Sequence, residues 1–312
     1  MDRVNTQTQV AVRQPAWLSA CARDESIPNY TAQRGEDRIL RTVFDIIGED
    51  SKWCVEFGAA DGKRGSNTWQ FIEHHGWSAV QIEPTHDSTL TLRQYRDSFE
   101  ALEKRYASNE KVFCLNEAVE IAGDKSLDSL LARTPIPSRF DLLSIDIDSE
   151  DYRIWESLEK YQPRVVIIEH NKTIPIHIDF ASDRGSSLLA LTKLGKKKGY
   201  ELVAATETNG IFVSKEYFAA FGISNNEPAS IWPNYADYQS FLWQLYDGTI
   251  VFEGSNRLKW VRGADGTIIG QIQAGKVIQS PPKRFFKGAY SYIKPLVSGR
   301  IRALTYSLID RL

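Results

Sequence analysis

Residues 200–213 read Tyr-Glu-Leu-Val-Ala-Ala-Thr-Glu-Thr-Asn-Gly-Ile-Phe-Val: two strand-forming runs, Tyr200–Ala204 and Gly210–Val213, separated by five residues. Five residues cannot carry the crossover that joins parallel neighbours, so this pair is expected to be an antiparallel hairpin. The chain before it reads differently. Phe140–Ile145 (Phe-Asp-Leu-Leu-Ser-Ile) and Val165–Ile168 (Val-Val-Ile-Ile) are nearly continuous apolar runs, suited to parallel strands covered on both faces. Trp53–Phe57, Trp77–Glu83 and Val112–Leu115 are earlier strand candidates. Helical stretches separate them: Ser66–His75, a long one carrying Leu90, Tyr95, Phe99 and Leu102, then Leu127–Leu131 and Tyr152–Leu158. Ile39, Leu40, Val43, Phe44 and Ile47 make a helical stripe stopped by Gly48, and Ser186–Lys198 is a helix whose final Lys196-Lys197-Lys198 opposes the dipole. Such alternation implies an α/β fold with a doubly wound, Rossmann-like, mostly parallel sheet ending in a reversed hairpin.

Around this central domain, residues 29–225, lie three further segments. Residues 1–28 read as a loose tail. Residues 226–282 are expected to form an aromatic helix (Trp232, Tyr235, Tyr238, Phe241, Trp243, Tyr246) and a small β-meander with strands near 249–252, 258–261 and 267–271. Residues 283–312 form a basic amphipathic tail. The 312 residues carry 38 Lys+Arg against 40 Asp+Glu, a net charge of −2, which gives no whole-chain basicity for nucleic-acid binding. The balance is uneven: residues 283–312 hold seven basic residues and one acid, which leaves −8 on residues 1–282. Ile301, Leu304, Leu308 and Leu312 share a helical face there. Such a tail can lie on an anionic membrane surface, dock on its own domain or meet a partner, and self-association stays open. No signal-peptide-like stretch opens the chain and no run of 18 apolar residues occurs, so the expected location is cytoplasmic, at the inner face of the membrane if the tail engages it. Cys21, Cys54 and Cys114 show no metal or redox spacing, and the latter two are expected to be buried thiols.

The chemistry concentrates at the ends of the strands. The first strand runs into Val55-Glu56-Phe57-Gly58-Ala59-Ala60-Asp61-Gly62, followed by Ser66-Asn67-Thr68. Glycines there allow a tight turn and close approach of a ligand to the backbone. The pattern is not the G-x-G-x-x-G of dinucleotide enzymes; a loop of Gly58, Ala59, Asp61 and Gly62 suits S-adenosylmethionine, which has no pyrophosphate to cradle. Glu83, 27 residues after Glu56, sits where a carboxylate accepts both ribose hydroxyls. Asn116–Val119, with Ala118, would border the adenine. The fourth and fifth strands stop at acids, Asp146-Ile147-Asp148-Ser149-Glu150-Asp151 and Glu169-His170-Asn171. Asp146, Glu169 and Asn171 offer hard oxygen ligands for Mg²⁺ or another divalent cation able to orient a hydroxyl. Asp148 or Asp151 can equally cap the next helix. Asp148 and His170 are the candidate bases, and His74, His75, His86 and His177 receive no role.

A sheet of this kind ending in a reversed hairpin has the outline of the class I methyltransferases. Over residues 30–225 the chain resembles their FkbM-like branch. The likeness is carried by Ala32-Gln33-Arg34-Gly35-Glu36-Asp37-Arg38-Ile39-Leu40, by Val55–Ala59 with Asp61-Gly62 and Ser66-Asn67-Thr68, and by Gly76-Trp77 leading to Ile82-Glu83. It continues in Leu143–Asp148 with Asp151-Tyr152, Pro163–Glu169 with Asn171, and Gly199–Val203 with Asn209. The resemblance implies that Glu56, Gly58, Gly62, Asn67, Thr68 and Glu83 hold S-adenosylmethionine, with Asp146 beside the transferred methyl. It also implies an O-methyltransferase acting on a sugar or natural-product hydroxyl. A bacterial surface glycan or its lipid-linked precursor is the expected acceptor. The rival readings are a non-catalytic, membrane-associated glycan-binding subunit and a nucleotide-dependent oxidoreductase. Ser149 and His170 depart from the family pattern, where glycine and an aromatic residue are common.

Overall fold

The computed structural model describes residues 15–24, 26–85, 98–147, 150–183, 185–238, 240–244 and 250–254. The chain divides into two compact units, Met1–Tyr235 and Ala236–Leu312. In the first, seven strands form one sheet: β1 (Trp53–Phe57), β2 (Ser78–Ile82), β3 (Val112–Leu115), β4 (Arg139–Ile145), β5 (Gln162–Glu169), β6 (Tyr200–Ala205) and β7 (Asn209–Ser214). Their order is β3-β2-β1-β4-β5-β7-β6. Pairing is parallel from β3 to β5 and antiparallel at β5–β7 and β6–β7. The expected reversed hairpin is thus present, and the strand order bears out the Rossmann-like class I methyltransferase fold. Thr206 and Asn209 close its turn, the Asn209 N–H donating to the Thr206 hydroxyl at 3.1 Å. The order reverses between β1 and β4, which creates the crevice where such sheets take ligands.

The helices are α1 (Ala16–Arg23), α2 (Glu36–Ile47), α3 (Trp69–Glu73), α4 (Ser98–Tyr106), α5 (Leu127–Leu131), α6 (Asp151–Ser157), α7 (Leu188–Lys198) and α8 (Pro228–Ile231). Leu40, Val43 and Phe44 of α2 join Cys54, Leu142, Val165 and Ile211 of the sheet in one apolar cluster. Phe71 and Trp77 close it, their rings 4.5 Å apart. Elsewhere Trp155 of α6 packs on Phe212 of β7 at 5.1 Å. Gly195 of α7 keeps that contact close, because a Cβ there would meet Phe212 at 3.0 Å.

Three expectations change. The helix expected at Ser66 starts at Trp69, because the Ser66 hydroxyl accepts the Thr68 and Trp69 N–H groups and holds a turn instead. The aromatic helix does not form as one element. Pro233 cannot donate within a helix, and α8 and a 3₁₀ turn (Pro233–Tyr238) precede a strand, Ser240–Gln244, that pairs antiparallel with Ile250–Gly254. Cys54 is buried as expected, but Cys114 is only half-buried. Residues 1–14, Leu90, Tyr95, Tyr246, 258–261, 267–271 and 283–312, for which the sequence raised expectations, lie outside the described residues. Among the described residues, no helix is long and apolar enough to cross a membrane.

One buried ion pair anchors the amino ends of β4 and β5. Arg164 donates to Asp141 at 2.6 Å, to the carbonyls of Ile47 and Gly48, and to the Tyr217 hydroxyl. Asp141 in turn accepts the N–H groups of Asp50 and Lys52 at 3.0 and 2.8 Å. The pair ties the end of α2 to the sheet.

Candidate active site

A cavity of about 940 Å³ opens at the carboxyl ends of the strands, at the reversal point between β1 and β4. Gly58 forms its closest wall. With φ +77°, it brings the backbone so near β4 that a Cβ would lie 1.7 Å from the Asp146 carbonyl oxygen. Ala60 follows in the left-handed region at φ 47°, a strained position for alanine. Its N–H donates to Glu83 Oε2 at 3.0 Å, while Glu83 Oε1 accepts the Ser98 hydroxyl at 2.7 Å. Glu83 is therefore held rigidly at the tip of β2.

Glu56 stands on β1, in register with Gln81 of β2. It accepts the Ser66 and Thr68 hydroxyls at 2.5 and 2.7 Å, the Asn67 N–H at 2.8 Å and the Ser144 hydroxyl at 3.2 Å. Burial pushes its carboxyl up, and these bonds offset only part of that rise. Asp61 behaves oppositely: burial raises it, but the Arg64 and Lys63 N–H groups and Arg105 outweigh burial and lower it. On the other side of the crevice, Asp146 follows β4, Glu169 ends β5 and Thr208 sits in the β6–β7 turn.

Of the sequence-derived candidates, Glu56, Gly58, Ala59, Asp61, Asn67, Glu83, Ala118, Asp146 and Glu169 line this cavity. Five others do not. Gly62 serves packing, since a Cβ there would meet Leu102 at 2.6 Å and Tyr106 at 2.7 Å. Thr68 is buried between Glu56 and Gln81. Asn116 turns to Thr85, whose N–H donates to its Oδ1 at 2.8 Å. Asn171 accepts from the Thr173 N–H and hydroxyl at 2.9 and 2.7 Å, which removes its oxygen from any ligand set with Asp146 and Glu169. Among the described residues, no group of three or more His, Cys, Asp or Glu side chains is arranged to hold a metal. Asp148 and Ser149 lie outside the described residues. Asp151, the other capping candidate, accepts the Ile147 N–H at 2.9 Å.

His170 is the fifth. It is buried, its Nε2 lies 3.1 Å from the Thr206 carbonyl, and Trp232 packs edge-on at 5.0 Å. A carbonyl only accepts, so Nε2 carries the proton. Burial lowers the imidazole to about 4. It is a neutral structural group, and the expected base role is corrected. From this a pH dependence follows. Between about 6.5 and about 4 the unfolded chain binds a proton that the folded ring refuses, so stability is full above that window and falls by about 3 kcal/mol as pH drops through it. Thermal unfolding at pH 7 and pH 5 checks this: His170→Gln should show a smaller loss on acidification than the wild type.

Glu117 and Val119, from the Asn116–Val119 stretch expected beside the adenine, and Ile147 next to Asp146 also line the cavity, as do Thr31, Gln33, Arg64 and Thr208, which had no site role in the sequence reading. Gln33 stands within the Ala32–Leu40 stretch quoted above, the one signal that pointed toward that wall.

No protein-family model matches the chain, and no curated protein matches it. Solved structures similar to it include an O-methyltransferase from Bacillus cereus in complex with SAH, at 16% identity and TM-score 0.37, covering 63% of this chain and 86% of that one. Another is cofactor-bound Rv0187 from MTB, at 15% identity and TM-score 0.39, covering 64% and 88%. A third is the glycopeptide N-methyltransferase MtfA complexed with S-adenosyl-L-methionine, at 12% identity and TM-score 0.36, covering 59% and 93%. At these values the likeness assigns no activity to this chain, and its fold follows from its own strand order. The FkbM-like resemblance rests on the quoted residues alone.

Proposed function

We propose that the chain is an S-adenosylmethionine-dependent methyltransferase that modifies a sugar hydroxyl. The observation that carries this is the crevice itself: a glycine whose side-chain position is filled by the Asp146 carbonyl, facing a carboxylate held at the tip of β2. The donor set fits the cofactor. Glu83 would accept the ribose hydroxyls, Ala118 would border the adenine, and the bare backbone at Gly58 and Ala59 admits the methionine portion. Glu56, Asp61, Glu83, Glu117, Asp146 and Glu169 make the lining acidic, which favours a cationic sulfonium. When bound, the cofactor supplies an electrophilic methyl group. Asp146 and Glu169 then orient the acceptor hydroxyl and hold its proton, while the rigid loops fix the approach.

Calorimetry with S-adenosylhomocysteine tests the cofactor site. Wild type should bind, and Glu83→Ala should bind at least tenfold more weakly, because the ribose acceptor is gone and the Ala60 N–H loses its partner. Tighter binding of NAD than of S-adenosylhomocysteine would sink the reading. Incubation with S-adenosylmethionine and a panel of glycans, read by release of S-adenosylhomocysteine, tests the acceptor.

A further inference from the structure

One wall of the cavity comes from a stretch that the reading above leaves unused, residues 29–35. Two adjacent carboxylates in the first turn of α2, Glu36 and Asp37, hold it, and both are buried. Asp37 Oδ2 accepts three successive backbone N–H groups, from Tyr30, Thr31 and Ala32, at 2.8, 2.8 and 2.9 Å. Glu36 Oε2 accepts the Arg34 N–H at 2.7 Å. Its Oε1 accepts the Thr206 hydroxyl at 2.7 Å and the Asn209 amide at 3.2 Å, which joins the stretch to the β6–β7 turn. At the other end the Thr31 hydroxyl donates to the Ser66 carbonyl at 2.9 Å, beside the glycine loop. Buried carboxylates are costly unless bonded, and bonding them to main-chain N–H groups fixes the loop that supplies those groups.

The stretch therefore spans from the glycine loop to the hairpin turn. It contributes Thr31 and Gln33 to the cavity, and the turn contributes Thr208. The Thr208 carbonyl accepts the His170 N–H at 2.7 Å, so the hairpin end of this wall adjoins the end of β5, where Glu169 lies, while Thr31 and Gln33 lie against Ser66 and Gly65 of the glycine loop. Next to Thr31, the Tyr30 ring stacks on His74 at 4.3 Å and 28°, and lies 5.9 Å from Trp69. The tyrosine is nevertheless 42% exposed, which leaves it a face in water. An immobilised aromatic face attracts the polarised C–H edge of a sugar ring.

We propose that residues 31–33, clamped by Asp37 and Glu36, are the acceptor wall of the cavity, and that the exposed face of Tyr30, next to Thr31 but outside the cavity lining, is the sugar-stacking platform that adjoins it. This rests on the methyltransferase reading. Asp37 and Glu36 are positioning residues; Tyr30, Thr31, Gln33 and Thr208 contact the acceptor. The test titrates methyl hexosides and methyl amino-hexosides into the full chain saturated with S-adenosylhomocysteine, following the backbone amides of residues 30–33 by NMR. One sugar class should shift those amides. Tyr30→Ala should weaken that sugar at least tenfold, and Tyr30→Phe should retain it. Asp37→Asn should weaken the sugar and speed hydrogen exchange at residues 30–32. S-adenosylhomocysteine affinity should stay within twofold in all three variants. An absence of shifts across the panel, or sugar binding unchanged in Tyr30→Ala, overturns the proposal. Loss of S-adenosylhomocysteine affinity in step with sugar affinity also overturns it, because the wall would then serve the cofactor. Failure of wild type to bind S-adenosylhomocysteine sinks the methyltransferase reading instead, and the same amides titrated without it still decide the wall.

Discussion

Gly58→Ala should abolish S-adenosylhomocysteine binding and destabilise the fold. Two costs add. The residue sits at φ +77°, where a side chain is strained by about 1–3 kcal/mol. The new methyl would also lie 1.7 Å from the Asp146 carbonyl oxygen, a backbone atom that cannot swing away as a side-chain tip does. Relieving that overlap must part β1 from β4, and overpacking of this kind costs about 1–3 kcal/mol more. The damage falls on the reversal point of the sheet, so the expected loss of affinity exceeds a hundredfold. Gly48→Ala provides the contrast. Gly48 also has positive φ, at +73°, but a Cβ there meets nothing within 4 Å, so only the backbone strain applies and ligand affinity should persist. Calorimetry and thermal unfolding of both variants check the pair; wild-type affinity in Gly58→Ala would show that the crevice is not the binding site.

Arg164→Leu should lower the thermal midpoint on the order of 10 °C without touching the cavity chemistry. Arg164 and Asp141 are both buried at the amino ends of their strands, away from the crevice. Removing the guanidinium leaves the Asp141 carboxylate uncompensated in the interior and strips donors from the Ile47 and Gly48 carbonyls. Breaking one partner of such a pair costs about 3–5 kcal/mol, and each kcal/mol moves the midpoint of a domain this size by about 2–4 °C. Differential scanning calorimetry reads the shift. At a temperature where the variant is folded, S-adenosylhomocysteine should bind as it does to the wild type. A midpoint within 2 °C of wild type would mean that the pair contributes little.

The succession of strands and helices and the closing reversed hairpin were legible in the chain because their causes are local, whereas the spatial order of the strands came from the folded sheet. The apolar runs at Phe140–Ile145 and Val165–Ile168 suit strands buried on both faces, and the short gap between Ala204 and Gly210 forces reversal. Asp146, Glu169, Gly58 and Glu83 followed, since residues that end parallel strands must emerge at one edge of the sheet. The aromatic stretch from Trp232 was misread for a related reason. Its spacing suits a helix, but Pro233 and the pairing of residues 240–244 with 250–254 override spacing.

What the chain alone established, then, is the order of elements and the edge at which chemistry gathers. Which of the edge residues reach the cavity was a matter for the folded molecule. Thr68 and His170 stand within a residue or two of groups that line it, yet one is claimed by Glu56 and the other by the Thr206 carbonyl. Glu36 and Asp37 look in sequence like ordinary acids opening a helix. Folding buries them and makes them the clamps of a wall whose other anchor lies at Thr206–Asn209. Side-chain direction and long-range hydrogen bonding carry no period along the chain, so they become visible only when distant segments meet.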